Sequence, residues 1–413
     1  MTSVRLHYGT LFNRSLFNCA LFSGALFLCA LLSAFHSLAA TADSHPNSHQ
    51  NVKGPLLSSQ LFMQLPNHFN SPSSADMDAQ GNIYFSSPNF HNNLLAQSGK
   101  PAEWPTIGKI TPDNVLSTWY TFSVNDAPKI TQQVAPMGIA WGPDGNLYVA
   151  DMQMWFEGGV GQSRILRINV EDGKAVNVDV VVKDLMFPNA LVWRGNTLFV
   201  TDTVLATQAK EYTVSGLYAF NLNELTATQP VTVSRYRHGQ PRDPHLFERF
   251  VTDGTLSFGA NGLTIDDHGN LYTGIMEDGT VHKTVLSHEN HNLGTTVFAQ
   301  GMTATDGMKW DKATNAIYIT DLFENAVYRI DMQGHLTLLA RNGDTDGRNG
   351  ELDAPSEVII RGNEIIVMNF DAVFRDVMMT NTKTSTPFTL SVITLPADQT
   401  SLSKSESNPK AKP

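Results

Sequence analysis

One phrase, FGANGLTIDDHGNLYT at 258–273, constrains this chain more than any other feature, because it recurs. Relatives stand at 73–88 (SSADMDAQGNIYFSSP), 137–152 (MGIAWGPDGNLYVADM), 189–203 (NALVWRGNTLFVTDT), 306–322 (DGMKWDKATNAIYITDL) and 356–370 (SEVIIRGNEIIVMNF). Each couples a polar turn to an apolar strand with an aromatic or aliphatic second residue: Tyr84, Tyr148, Phe199, Tyr272, Tyr318 and Ile366. That is the pattern of a β-hairpin with Gly or Asn at the tight position. A further strand-like phrase follows most copies: GKIT, RILRIN, GLYAFNL, GTVHKTVL, NAVYRID. Self-similarity at this scale means a repeat architecture.

The copies lie about 45 to 75 residues apart, too irregular for an open solenoid. About 330 residues shared among six units leave about 55 each, enough for four short strands. The spacing predicts an all-β fold, a six-bladed β-propeller over residues 58–396. SQLFMQLP (59–66) and FTLSVITLP (388–396) are apolar and strand-like, placed to complete one blade from both ends and close the ring. Closure removes sheet edges that invite aggregation.

In such a ring the residue just before each innermost strand stands at the mouth of the central channel. Counting back from the turns gives Ser73, Met137, Asn189, Asn261, Asp306 and Ser356. Three successive repeats therefore present Asn, Asn and Asp. Singly, each is an ordinary turn residue. Together they form an oxygen-rich set that suits a hard divalent cation such as Ca2+ rather than a soft metal.

The phrases FPNALVW with Asn189, GANGLTID with Asn261, ATDGMKWD with Asp306, and DGRNGELDAPSEVIIRGNEIIVMNF resemble the senescence-marker-protein/gluconolactonase family of six-bladed propellers. The resemblance spans about residues 70–372. It implies one calcium or similar ion at the channel mouth, with Asn189, Asn261 and Asp306 as ligands. It also implies hydrolysis of a lactone or related ester, with small-molecule substrates. The ion would polarise the carbonyl, and Asp306 would act as general base on the attacking water. The family's first-blade Glu has no counterpart. Ser73 or Ser74 stands there, with Asp76 and Asp78 the nearest acids. The alternative is a propeller that binds a ligand or protein without catalysis. A third reading takes its cue from plant strictosidine synthase, a related propeller, and gives the chemistry to Glu357 without a metal.

The chain has 413 residues and a formal net charge of −11, which argues against a nucleic-acid partner. Residues 1–40 begin with Arg5 and Arg14, continue through an uncharged Leu/Phe/Ala run and end at Ser37-Leu38-Ala39-Ala40. This is the pattern of an export signal, so the expected location is secreted or periplasmic. The run is long enough for a membrane anchor if it is retained. Cys19 and Cys29 both lie within it, leaving no thiol beyond residue 40. Residues 41–57 and 397–413 read as flexible polar segments. The stretch 222–257 reads as a surface loop between blades, a lid over a site being the alternative.

Other candidates take plainer readings. Asp151, Asp202 and Asp321 recur after the second strand and read as turn caps. NGDTDGRNGELD (342–353) lacks the ligand order of an EF-hand and reads as an interblade turn, a second structural calcium being the alternative. HENH at 288–291 lacks the i, i+4 histidine spacing of a zinc helix. No GxSxG elbow, P-loop or dinucleotide Gly motif occurs. Trp193 and Trp310 fall on core strands and read as packing.

Overall fold

The computed structural model describes residues 55–206, 212–252, 256–374 and 377–396. The expected export segment, nearly all of 41–57 and the tail 397–413 lie outside them. Six small sheets make up the fold. Blade 1 comprises Ala75–Met77, Ile83–Ser87, Thr106–Ile110 and Leu116–Thr121. Blade 2 comprises Pro136–Trp141, Leu147–Asp151, Ser163–Glu171 and Lys174–Leu185. Blade 3 is built from Pro188–Arg194, Thr197–Asp202, Thr213–Asn221 and Leu246–Thr252. Blade 4 runs through Ala260–Ile265, Leu271–Ile275, Thr280–Leu286 and Asn292–Gln300. Blade 5 runs through Thr305–Asp311, Ala316–Asp321, Ala326–Asp331 and Leu336–Arg341. Blade 6 takes Pro355–Arg361, Glu364–Asn369 and Thr389–Thr394 from the end of the chain and Ser59–Gln64 from its beginning. Each innermost strand contacts those of both neighbouring blades, so the ring is closed. The fold is a six-bladed β-propeller. Among the described residues no helix is long and apolar enough to cross a membrane.

The repeated phrase folds as it does for local reasons. Asp266 Oδ1 accepts the backbone N–H groups of His268 (3.0 Å) and Asn270 (2.8 Å), and Gly269 takes the left-handed φ of +79° that the turn requires. Tyr272, at the second strand position, is fully buried and donates its hydroxyl to Asp266 Oδ2 at 3.0 Å. Tyr148 does the same to Asp144 in blade 2, also at 3.0 Å. The turn acid thus satisfies both the bend and the phenol of the buried strand, which is why Asp, Gly, Asn and Tyr recur together.

Aromatic contacts join the blades. Tyr84 of blade 1 meets Trp141 of blade 2 edge-on at 4.8 Å, and Tyr148 of blade 2 meets Trp193 of blade 3 at 4.9 Å. Such pairs are worth about 0.5–1.5 kcal/mol beyond the area they bury. Trp193 and Trp310 both pack against the core.

The stretch 222–257 departs from the surface-loop expectation. Its LFERFVT segment is the outermost strand of blade 3, with Leu246 and Phe250 buried. Val231–Thr232 adds a short parallel fifth strand to blade 2, pairing with Val182 and Lys183. The charges between the apolar positions mask a strand whose partly exposed side chains lie on the outer rim.

Candidate functional site

All six residues counted to the channel mouth line one cavity: Ser73, Met137, Asn189, Asn261, Asp306 and Ser356. The blades approach so closely there that the next position along the inner strands of blades 2 and 4 has room only for glycine. A Cβ on Gly138 would lie 2.0 Å from the Asn189 carbonyl oxygen, and one on Gly262 would lie 2.0 Å from that of Asp306. Hydroxyls of the second strands fix the same backbone. Ser86 Oγ donates to the Met137 carbonyl at 2.5 Å, and Thr201 Oγ1 to that of Asn261 at 2.6 Å. The axial side chains are therefore held by backbone on both sides.

The position after the axial residue is Ser74, Gly138, Ala190, Gly262 and Gly307 in the first five blades, but Glu357 in the sixth. Its carboxylate fits because Gly307 has no side chain: a Cβ there would lie 2.5 Å from Glu357 Oε1. Ser74 Oγ donates to Oε2 at 3.0 Å, and Lys309 Nζ stands 3.8 Å from the same oxygen. Glu357 thus places a carboxylate against the first-blade position where Ser73 and Ser74 stand. Asp76 and Asp78 do not reach the cavity. Asp76 Oδ2 accepts from Trp141 N at 2.8 Å, and Asp78 caps the blade 1 turn through Asn82 N at 2.9 Å.

Asn261, Glu357, Ser73, Ser74 and Ser356 are buried, whereas Asn189 and Asp306 keep some accessible surface. Protein nevertheless packs closely around the Asp306 carboxyl. That burial, followed by the charge of Glu357, raises its pKa well above the usual carboxylate range, against a hydrogen bond with Asn261. Burial likewise raises Glu357, with Lys309 opposing. Among the described residues, no three His, Cys, Asp or Glu side chains gather as a metal cluster. The axial set is instead two carboxylates and two amides. These are hard oxygen donors, and they fit a Ca2+-like ion.

The cavity is small, about 40 Å³, room for an ion with a water or two. Its rim is apolar: Trp155, Phe187, Phe258, Leu322, Phe370 and Phe374. The Phe374 ring lies 6.4 Å from Trp155 and 5.9 Å from Phe258, closing the top. Sequence reasoning missed this rim, although a signal for part of it was present. Met276, Leu322 and Phe370 each follow directly on the second strand of their blade, one register position repeated.

Asp202 accepts from Met186 N (3.0 Å) and Phe187 N (2.6 Å), Asp321 from Thr303 N (2.6 Å), and Asp151 from Ala135 N (2.8 Å). Asp151 also holds the buried Arg164. All three anchor the segment entering their own blade, and none lines the cavity. His288 and Glu289 belong to the exposed turn before Asn292–Gln300, where Ser287 Oγ accepts from His291 N at 3.1 Å.

No family model matches this chain, and no curated protein matches its sequence. Solved structures match its fold. A PQQ-bound aldose sugar dehydrogenase from Streptomyces coelicolor aligns with a TM-score of 0.50 at 11% identity, covering 82% of this chain and 98% of that one. A luciferin-regenerating enzyme aligns at 0.49 with 12% identity, covering 82% and 95%. A protein assigned to a gluconolactonase family aligns at 0.48 with 14% identity, covering 82% and 92%. At these identities the likeness concerns the fold alone, and folds of this kind host unrelated chemistries. The class that fold and site define is a six-bladed propeller with an oxygen-lined axial cavity under an aromatic rim.

Proposed function

We propose that the axial cavity holds a divalent cation, calcium by its donor chemistry, and that the protein hydrolyses an apolar lactone or related ester, as its resemblance to the senescence-marker-protein/gluconolactonase family implies. One observation carries this reading. Asp306, closely packed though partly exposed, and the buried Glu357 face one cavity together with Asn189 and Asn261, and the charge of Glu357 raises the cost of ionising Asp306. Like charges buried side by side call for a cation between them. Glu357, from blade 6, takes the place of the acid that the first blade lacks.

Asn189, Asn261, Asp306 and Glu357 would hold the ion. When bound, it supplies Lewis-acid polarisation of an ester carbonyl. Asp306, the more accessible carboxylate, would accept the proton of the attacking water as its oxygen bonds to the carbonyl carbon, and return that proton to the leaving oxygen as the acyl C–O bond breaks. Lys309 balances part of the Glu357 charge. The rim carries no charged side chain. An aryl or alkyl ester therefore suits it better than a polyhydroxylated sugar lactone, whose hydroxyls would find few partners there. A screen of aryl esters and alkyl lactones, with Ca2+ or chelator, tests the reading. Calcium-dependent turnover that is lost in Asp306→Asn supports it, and the absence of turnover with any substrate sinks it.

A second reading, a ligand-binding propeller without catalysis, is favoured by the cavity itself, which at about 40 Å³ under Phe374 admits no lactone as it stands. In the same screen it gives calcium-dependent binding without product. Residues 1–40 are taken to export the chain, which N-terminal sequencing of the mature protein checks.

A further inference from the structure

A second group of buried acids lies outside the axial cavity. Asp353 ends the loop between blades 5 and 6, and Asp371 follows the second strand of blade 6; each is 2% exposed. Their carboxyls interact directly. Neither lines the axial cavity.

Their hydrogen bonds are incomplete. Asp353 Oδ1 accepts from Asn381 Nδ2, and Asn325 Nδ2 donates to Asn381 Oδ1 at 2.5 Å. Asp371 Oδ2 accepts from Ser385 N at 2.8 Å. Asp371 Oδ1 is buried with no partner among the described residues, and so is Ser385 Oγ on the residue that holds it. No ion pair among the described residues involves Asp353 or Asp371. Arg348, on the same loop, pairs instead with Asp346 at 3.4 Å and donates to the Thr386 carbonyl at 2.7 Å. Asp344 and Asp346 add further negative charge nearby. Burial first, then the Asp353 charge, raises the pKa of Asp371.

A buried carboxylate oxygen without a donor, beside a second carboxylate and without a counter-ion, costs several kcal/mol unless something neutralises it. Either a proton or a cation can do so. The donors present are all oxygen, from the two carboxylates. That set selects a hard cation over zinc or copper. Gly347 lets the loop close down at this point, since a Cβ there would lie 3.0 Å from Asp353 Oδ2.

We propose that Asp353 and Asp371, the latter held by the backbone N–H of Ser385, bind a second calcium ion that ties the 342–353 loop to the turn at 381–385. These residues are distinct from the axial set, so the site stands or falls independently of the proposed hydrolase.

The test titrates the chelator-stripped full-length protein with calcium chloride calorimetrically, comparing wild type, Asp306→Asn and Asp371→Asn. Asp371→Asn is expected to bind one calcium fewer than wild type, while Asp306→Asn retains the site that Asp371→Asn lacks. If Asp306→Asn titrates like wild type and Asp371→Asn still loses one ion, the axial reading fails and this one holds. Equal stoichiometry and affinity in wild type and Asp371→Asn overturn it. Should Asp371→Asn fail to fold, amide exchange in Asp306→Asn decides. Calcium is expected to slow exchange at least tenfold at Thr382 and Ser385, and unchanged exchange there overturns the proposal.

Discussion

Gly307 and Glu357 depend on each other: a Cβ on Gly307 would lie 2.5 Å from Glu357 Oε1 and 2.4 Å from the Ser356 carbonyl oxygen. The glycine of blade 5 is the space in which the acid of blade 6 sits. Gly307→Ala is therefore expected to destabilise the fold by about 1–3 kcal/mol, the usual range for overpacking, and to push the Glu357 carboxylate off the cavity. A lower denaturation midpoint together with weaker calcium binding checks this. A loss of stability with calcium affinity unchanged would detach Glu357 from the ion.

Raised carboxylates make the metal-free protein sensitive to base. Burial raises Asp202 and Asp321 to about 7, and Asp306 and Glu357 are also raised. In the unfolded chain these groups ionise near pH 4. Between that value and the folded pKa the native state binds more protons, so stability falls as pH rises, by up to about 1.4 kcal/mol per group per pH unit. His91, lowered to about 4 by burial, works in the opposite sense, but only below its unfolded value near 6.5. The Tm of chelated protein is thus expected to fall between about pH 4.5 and 7, the four acids outweighing the one histidine. Calcium should flatten that slope in wild type more than in Asp306→Asn. Identical slopes with and without calcium would speak against an ion at Asp306.

The interior of blade 2 rests on one acid. Asp151 accepts from Ala135 N at 2.8 Å, Gln153 Nε2 at 2.6 Å and Arg164 Nε at 2.8 Å, and is fully buried. Asp151→Ala leaves Arg164 as an uncompensated buried charge, and a loss of about 3–5 kcal/mol is expected from urea unfolding. Asp151→Asn, which keeps a backbone acceptor, should lose less.

Phe374 stoppers the axial cavity through its contacts with Trp155, Phe258 and Phe323. Its ring is only partly buried, so Phe374→Ala is expected to cost about 2 kcal/mol, below the range for a fully buried Phe. Calcium content should stay unchanged. In the hydrolase reading KM for a bulky aryl ester falls, and an unchanged KM would place the substrate elsewhere.

The fold was legible because its repeating unit satisfies its own polar groups. In blades 2 and 4 a turn ending in Gly-Asn feeds a strand whose tyrosine bonds back to an acid of the turn, Asp144 or Asp266, so the signal survives wide variation in loop length. The six axial positions could be counted from the same turns. Two features were hidden. The outer strand Leu246–Thr252 is edge-like and interrupted by charge, so it reads as loop. Glu357 was visible as an acid beside Ser356, but its place against Ser74 depends on a glycine in the neighbouring blade, a relation no local pattern carries. The unpartnered oxygen of Asp371 likewise arises between segments brought together only by the closed ring.

The most direct measurement is the calcium content of the purified protein after gel filtration, by elemental analysis, in wild type, Asp306→Asn and Glu357→Gln. The expected result is tightly bound calcium in wild type, with one equivalent lost in each variant. Calcium absent from wild type, or retained in full by both variants, would contradict an ion held between Asp306 and Glu357.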